Sequence, residues 1–97
     1  MNQNPSALVA VSNRNNTWTV RDRFGGVEYV FPPGETKRVA AEVAEHIFGY
    51  GLDEKSRRQK FLRMGIANMK NGAEMWKRIE MKAVGNPQFT GAVREAA

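Results

Sequence analysis

The run Tyr29-Val30-Phe31-Pro32-Pro33-Gly34-Glu35-Thr36-Lys37 constrains the fold more than any other stretch of the chain. Proline has no backbone N–H to give to a sheet and its ring fixes φ, so two in succession must end the strand that Tyr29, Val30 and Phe31 begin. Gly34 then lets the backbone reverse. Strand-forming residues resume at once between Glu35 and Val39, so the double proline marks a corner within a sheet.

The segments before this corner read as further strands. Leu8 to Val11 is a compact apolar run ended by Ser12-Asn13-Arg14-Asn15-Asn16, whose asparagines tolerate left-handed turn geometry. From Thr17 to Phe24, the apolar residues Trp18, Val20 and Phe24 fall at period two, the pattern of a half-buried strand. Gly25-Gly26 supplies a tight hairpin and Val27 to Phe31 returns. Near Ala40 the period lengthens: Val39, Val43, Ala44, Ile47 and Phe48 share one helical face, with Glu42, Glu45 and His46 opposite, until Gly49 and Gly51 stop the helix. That helix is expected to cover one face of the sheet. His46 is the sole histidine and lies on the polar side, with no second ligand at useful spacing, so it reads as a surface residue.

The second half has a different character. Between Asp53 and Lys82 there are nine basic residues against four acidic ones, which accounts for the whole net charge of +5. Asp53 reads as the N-cap of a helix running to about Met64, with Glu54 in its first turn. Lys55, Arg57, Arg58, Lys60 and Arg63 scatter around this helix among Phe61, Leu62 and Met64, leaving no clean apolar face. Such a helix suits a position gripped on several sides or projecting into a partner. Gly65 and the stretch from Asn68 to Gly72 interrupt the pattern; Ala73 to Ala83 then reads as another helix, with Met75, Trp76, Ile79 and Ala83 on one side. Trp76 is a large anchor to be buried against the front sheet or against another subunit. The segment after Val84, which includes Phe89, is turn-rich and reads as an extended tail.

With 97 residues there is room for one core. The expected fold is α+β: a small N-terminal antiparallel β-sheet or meander, a short covering helix, two further helices and an extended C-terminal tail. Residues 1–51 form a small sheet-plus-helix domain in this reading, and 52–97 a basic helical arm and tail. No cysteine is available for disulfides or thiolate metal sites, which raises the expectation of a partner. No stretch is long and apolar enough to span a bilayer, and Met1 to Ser6 lacks the pattern of a secretory signal, so a chain made in a cytoplasm without membrane partners is expected.

Enzymatic constellations are missing from the sequence: there is no phosphate-binding loop, zinc pair, nucleophile elbow or calcium loop. We expect no catalysis, no cofactor and no metal. Two binding readings follow from the basic half. In one, the segment from Lys55 to Lys70 neutralises nucleic-acid phosphates, although its cations line no single stripe. In the other, the chain clamps onto a larger protein assembly: Arg57, Arg58, Lys60 and Arg63 pair with acidic patches, while Phe61, Leu62, Met64, Trp76 and Phe89 supply buried anchors.

From Val11 to Gly49, the order VSNRNNTWTV…VEYVFPPGETKRVAAEVAEHIFG resembles the opening of small virion proteins of tailed bacteriophages. An Asn-containing strand-turn-strand, a Pro-Gly-Glu corner, a short strand and an Ala-Glu-x-Ala-x-x-x-Phe-Gly helix recur together there. The resemblance implies a structural protein of the virion, foremost a capsid cement or decoration protein present in many copies. Its partners would then be the major capsid protein or other virion proteins, with a neck or tail location next. It implies no catalytic residue.

Overall fold

The computed structural model describes residues 7–84. They form an α+β fold with the order β1 (Leu8–Asn13), β2 (Val20–Phe24), β3 (Val27–Phe31), β4 (Thr36–Ala40), α1 (Ala41–Phe48), α2 (Glu54–Arg63), α3 (Gly72–Lys77) and β5 (Ile79–Val84). The expected tail, with Phe89, lies outside the described residues.

The strands do not form one sequential meander. β1 is the centre of a three-stranded antiparallel sheet, β4-β1-β5, and β2 pairs only with β3 in a separate hairpin. The asparagine cluster therefore does not fold β2 back onto β1. Instead the β2–β3 hairpin is inserted between two strands that pair with each other, in register from Leu8 opposite Ala40 to Ser12 opposite Thr36.

The Pro-Pro-Gly corner makes this insertion possible. Gly34 adopts φ 80°, and the Glu35 N–H donates to the Pro32 carbonyl at 3.2 Å, closing a turn with Pro33 and Gly34 at its centre. The corner is also docked. Gly34 N–H donates to the Asn13 carbonyl at 2.7 Å, and Asn13 N–H donates to the Glu35 carbonyl at 3.0 Å. β4 thereby starts beside the end of β1, already in position to pair.

The Asn13 side chain uses all its hydrogen-bonding capacity. Its Nδ2 donates to the carbonyls of Trp18 (2.7 Å) and Phe31 (2.8 Å), at the base of the hairpin. Its Oδ1 accepts from both the backbone N–H (3.0 Å) and Nδ2 (2.9 Å) of Asn15. Asn15 Nδ2 donates in addition to the Met75 carbonyl at 3.0 Å, so the network reaches α3. Both asparagines are buried, and each satisfied polar atom avoids the cost of an unpaired one.

One core runs through the described chain. Val9 and Val11 of β1, Val20 and Phe31 of the hairpin, Val39 of β4, Val43, Ala44, Ile47 and Phe48 of α1, and Ile79 of β5 are all buried together. α1 begins without a side-chain cap, and the Ala41 N–H is satisfied by the Ala7 carbonyl at 3.1 Å.

Two expectations for the second half need correction. The helix expected over Ala73 to Ala83 is six residues long, and its remainder is the strand β5. In β5, Ile79 and Met81 turn inward while Glu80 and Lys82 are exposed, a period-two pattern that β1 selects by offering an unpaired edge. Nor does the second half stand apart as an arm. The register from Leu8 opposite Val84 to Asn13 opposite Ile79 carries the sheet across the boundary drawn between residues 51 and 52.

Candidate functional site

The basic run spans α2, α3 and β5. α2 starts as expected, with the Asp53 carboxylate accepting from the Ser56 N–H at 2.8 Å. That N–H and the Ser56 side chain hold the Asp53 carboxyl below its ordinary pKa. No residue of α2 is fully buried, in keeping with a helix lacking an apolar stripe.

At the end of α2, Arg63 is committed within the chain. It forms an ion pair with Asp22 of β2, and its guanidinium also donates to the His46 carbonyl at 3.4 Å. Burial pulls the Asp22 carboxyl upward, but the hydrogen bonds from Arg63 and the Arg23 backbone, with the charges of Arg63 and His46, leave it below its ordinary pKa. Arg63 thus ties α2 to β2 and α1. Lys60 faces a shallow hollow of about 280 Å³ that it shares with Glu42, Glu45 and His46. The His46 ring sits 4.8 Å from that of Phe24, so it is half-buried against the hairpin.

Arg57, Arg58, Phe61 and Trp76 come together. They line an open groove of about 490 Å³ between α2, α3 and β5. α2 also contributes Glu54 at the rim, and α3 contributes Ala73 and Lys77. Phe48, Ile79 and Met81 carry the lining back toward the core. The aromatic rings form a chain: Phe31 to Phe48 at 5.3 Å between centroids, Phe48 to Trp76 at 5.9 Å, and Trp76 to Phe61 at 5.5 Å. Trp76 therefore packs on the internal core with part of its surface left in the groove.

Gly49 sets the position of Arg57. It ends α1 in the left-handed conformation, at φ 81°, and the Arg57 stem lies so close that a Cβ on residue 49 would stand 2.7 Å from Arg57 Cγ. The Arg57 stem thus rests on the Gly49 backbone, and the residue lines the groove. The three ion pairs among the described residues engage Arg14, Arg21 and Arg63, leaving Arg57, Arg58 and Lys77 without a carboxylate within bridging distance.

The other named anchors lie elsewhere. Met64 is half-buried against the core, and Leu62 is 50% exposed and outside the groove lining. Sequence reasoning missed Lys77, Ile79 and Met81, because a continuous helix over Ala73 to Ala83 gives no groove wall. The alternation Ile79-Glu80-Met81-Lys82 was the pattern that could have revealed it.

Among the described residues there is no group of three or more acidic, histidine or cysteine side chains arranged to hold a metal, and no helix is long and apolar enough to cross a membrane. The groove is an aromatic cleft rimmed by Arg57, Arg58 and Lys77, which form no ion pair among the described residues. No protein-family model, curated protein or solved structure matches this chain.

Proposed function

We propose that the chain is a structural virion protein, a capsid cement or decoration subunit that binds the assembled shell of a tailed bacteriophage and stabilises it. The observation that supports this reading is the convergence of Arg57, Arg58, Phe61 and Trp76 on one open groove. The resemblance of Val11 to Gly49 to small virion proteins supplies the assembly on which such a groove would act. Aromatic and arginine side chains supply much of the affinity of protein interfaces, since they bury large areas and make charge-assisted hydrogen bonds.

A subunit that binds only the assembled shell shifts assembly toward that state by mass action. Repetition of weak sites over the shell makes their effects cumulative, because neighbouring engagements share a high effective concentration. The rival reading, a nucleic-acid binder, needs a continuous cationic track. Here Arg63 is paired with Asp22, Lys60 lines a separate hollow with Glu42 and Glu45, and Arg57, Arg58 and Lys77 line the groove.

Mass spectrometry of purified particles of the phage whose genome carries the gene tests the proposal. The chain is expected in the particles at multiple copies. Particles lacking it should release their genomes at a lower temperature than complete ones. Abundance in the infected cytoplasm with absence from particles would overturn the reading.

A further inference from the structure

We infer that the groove takes an extended, acidic segment of the shell protein that carries one aromatic or large aliphatic side chain, and that this segment adds to the open edge of β5. The inference rests on the docking role proposed above and specifies its ligand. Three features of the groove select that chemistry. Arg57, Arg58 and Lys77 face Glu54 as the lone acidic residue of the lining, so the site favours carboxylates. Phe61 and Trp76 form an aromatic wall against which one apolar side chain can be desolvated. Among the described residues β5, which contributes Ile79 and Met81 to the lining, has β1 as its one strand partner, so its other edge offers backbone groups to a further strand.

These features act together. Strand addition supplies sequence-independent backbone hydrogen bonds, and alternate side chains of an added strand point to the same face. A segment lying along β5 would present every second residue to the groove, placing an apolar group at the aromatic wall and acidic groups beside the α2 and α3 cations. A polynucleotide would also stack on Phe61 and Trp76, but it would gain nothing from the β5 edge.

Fluorescence anisotropy with the full chain tests this, using a labelled peptide of alternating aspartate and glycine around one central phenylalanine. Comparison probes replace the phenylalanine with alanine, replace the aspartates with lysine, or substitute a labelled single-stranded oligothymidylate. The acidic phenylalanine peptide is expected to bind best, and removal of its phenylalanine to weaken binding ~10-fold. The double variant Arg57→Glu/Arg58→Glu should lose ~10-fold or more in affinity while keeping the wild-type circular dichroism spectrum. Should that variant fail to fold, Lys77→Glu alone carries the test with an expected loss of ~10-fold. Amide exchange on the outer edge of β5 should slow when the acidic peptide is added.

Absence of peptide binding, equal binding of the alanine peptide, tighter binding of oligothymidylate, or unchanged affinity in a folded charge-reversal variant would each overturn the inference. Particle association separates this from failure of the cement reading. A charge-reversal variant that still assembles on particles like the wild type removes the groove and leaves the virion role standing. Peptide binding by a chain absent from particles does the reverse.

Discussion

Asn13 shows how much one residue can decide. It continues the inward face that Val9 and Val11 begin on β1, yet it is polar, and its amide joins the hairpin base, the Asn15 turn and, through Asn15, α3. Asn13→Asp keeps the oxygen that accepts from Asn15 but removes both donors and buries a charge. At neutral pH the variant should lose about 3 kcal/mol or more against wild type in chemical denaturation. Burial raises a carboxyl pKa, so the penalty is present above that raised value and is relieved as pH falls through it. The gap to wild type should narrow on acidification, and a gap independent of pH would contradict the burial. The sequence contained the clue, since residues 9, 11 and 13 share a strand face. The asparagine was read for its turn geometry because neighbouring Arg14, Asn15 and Asn16 drew the whole cluster toward a loop.

At the scale of elements, local signals were read well and long-range ones were not. Gly25-Gly26 connects β2 to β3 in the expected hairpin, with Phe24 opposite Val27, and Asp53 caps α2 as its position before Glu54 indicated. Pairing of β1 with β4 depends on closing a loop that contains the hairpin, and no local pattern encodes it. β5 was misread because Met75, Trp76, Ile79 and Ala83 also satisfy helical spacing; the free edge of β1 decides between the two periods. Hydrogen exchange resolved by residue checks this directly. Amides of β5 directed toward β1 should be protected and should alternate with unprotected ones, whereas one contiguous protected block would indicate helix. The groove was legible only in part for the same reason, because one wall is that strand. The ion pair of Arg63 with Asp22 was not legible, since the partner lies in a distant strand.

The contact between α2 and β2 gives a second prediction at this scale. The folded state holds the Asp22 carboxyl below its ordinary value of 3.8, so the ion pair with Arg63 contributes stability above that value and loses it as pH falls through the lower folded one. Asp22→Asn should cost about 1 kcal/mol at pH 7, a figure kept small because Arg63 is partly exposed to solvent. The difference from wild type should shrink in denaturation curves as pH falls below 3.8. A constant difference across that range would show that the pair is not formed.

For the whole molecule, the shared core implies that the hairpin and the groove melt together. Trp18 reports on the hairpin base, where its carbonyl receives Asn13, and Trp76 reports on the groove. Fluorescence of Trp18→Phe and Trp76→Phe variants, each leaving one tryptophan, should give a single transition coincident with circular dichroism. Two separated midpoints would mean that α2, α3 and β5 unfold as a unit of their own. Cooperative folding is compatible with docking, because the groove leaves part of Trp76 and the cations Arg57, Arg58 and Lys77 at the surface without opening the core.

The inserted hairpin has a practical consequence. Its base is clamped by one amide, while its tip at Gly25-Gly26 is exposed and has no neighbouring atom within 4 Å of where a side chain would begin. A foreign epitope spliced at that tip would lengthen a ribbon already excluded from the three-stranded sheet and would leave the groove untouched, which makes the hairpin a natural handle for tagging or display.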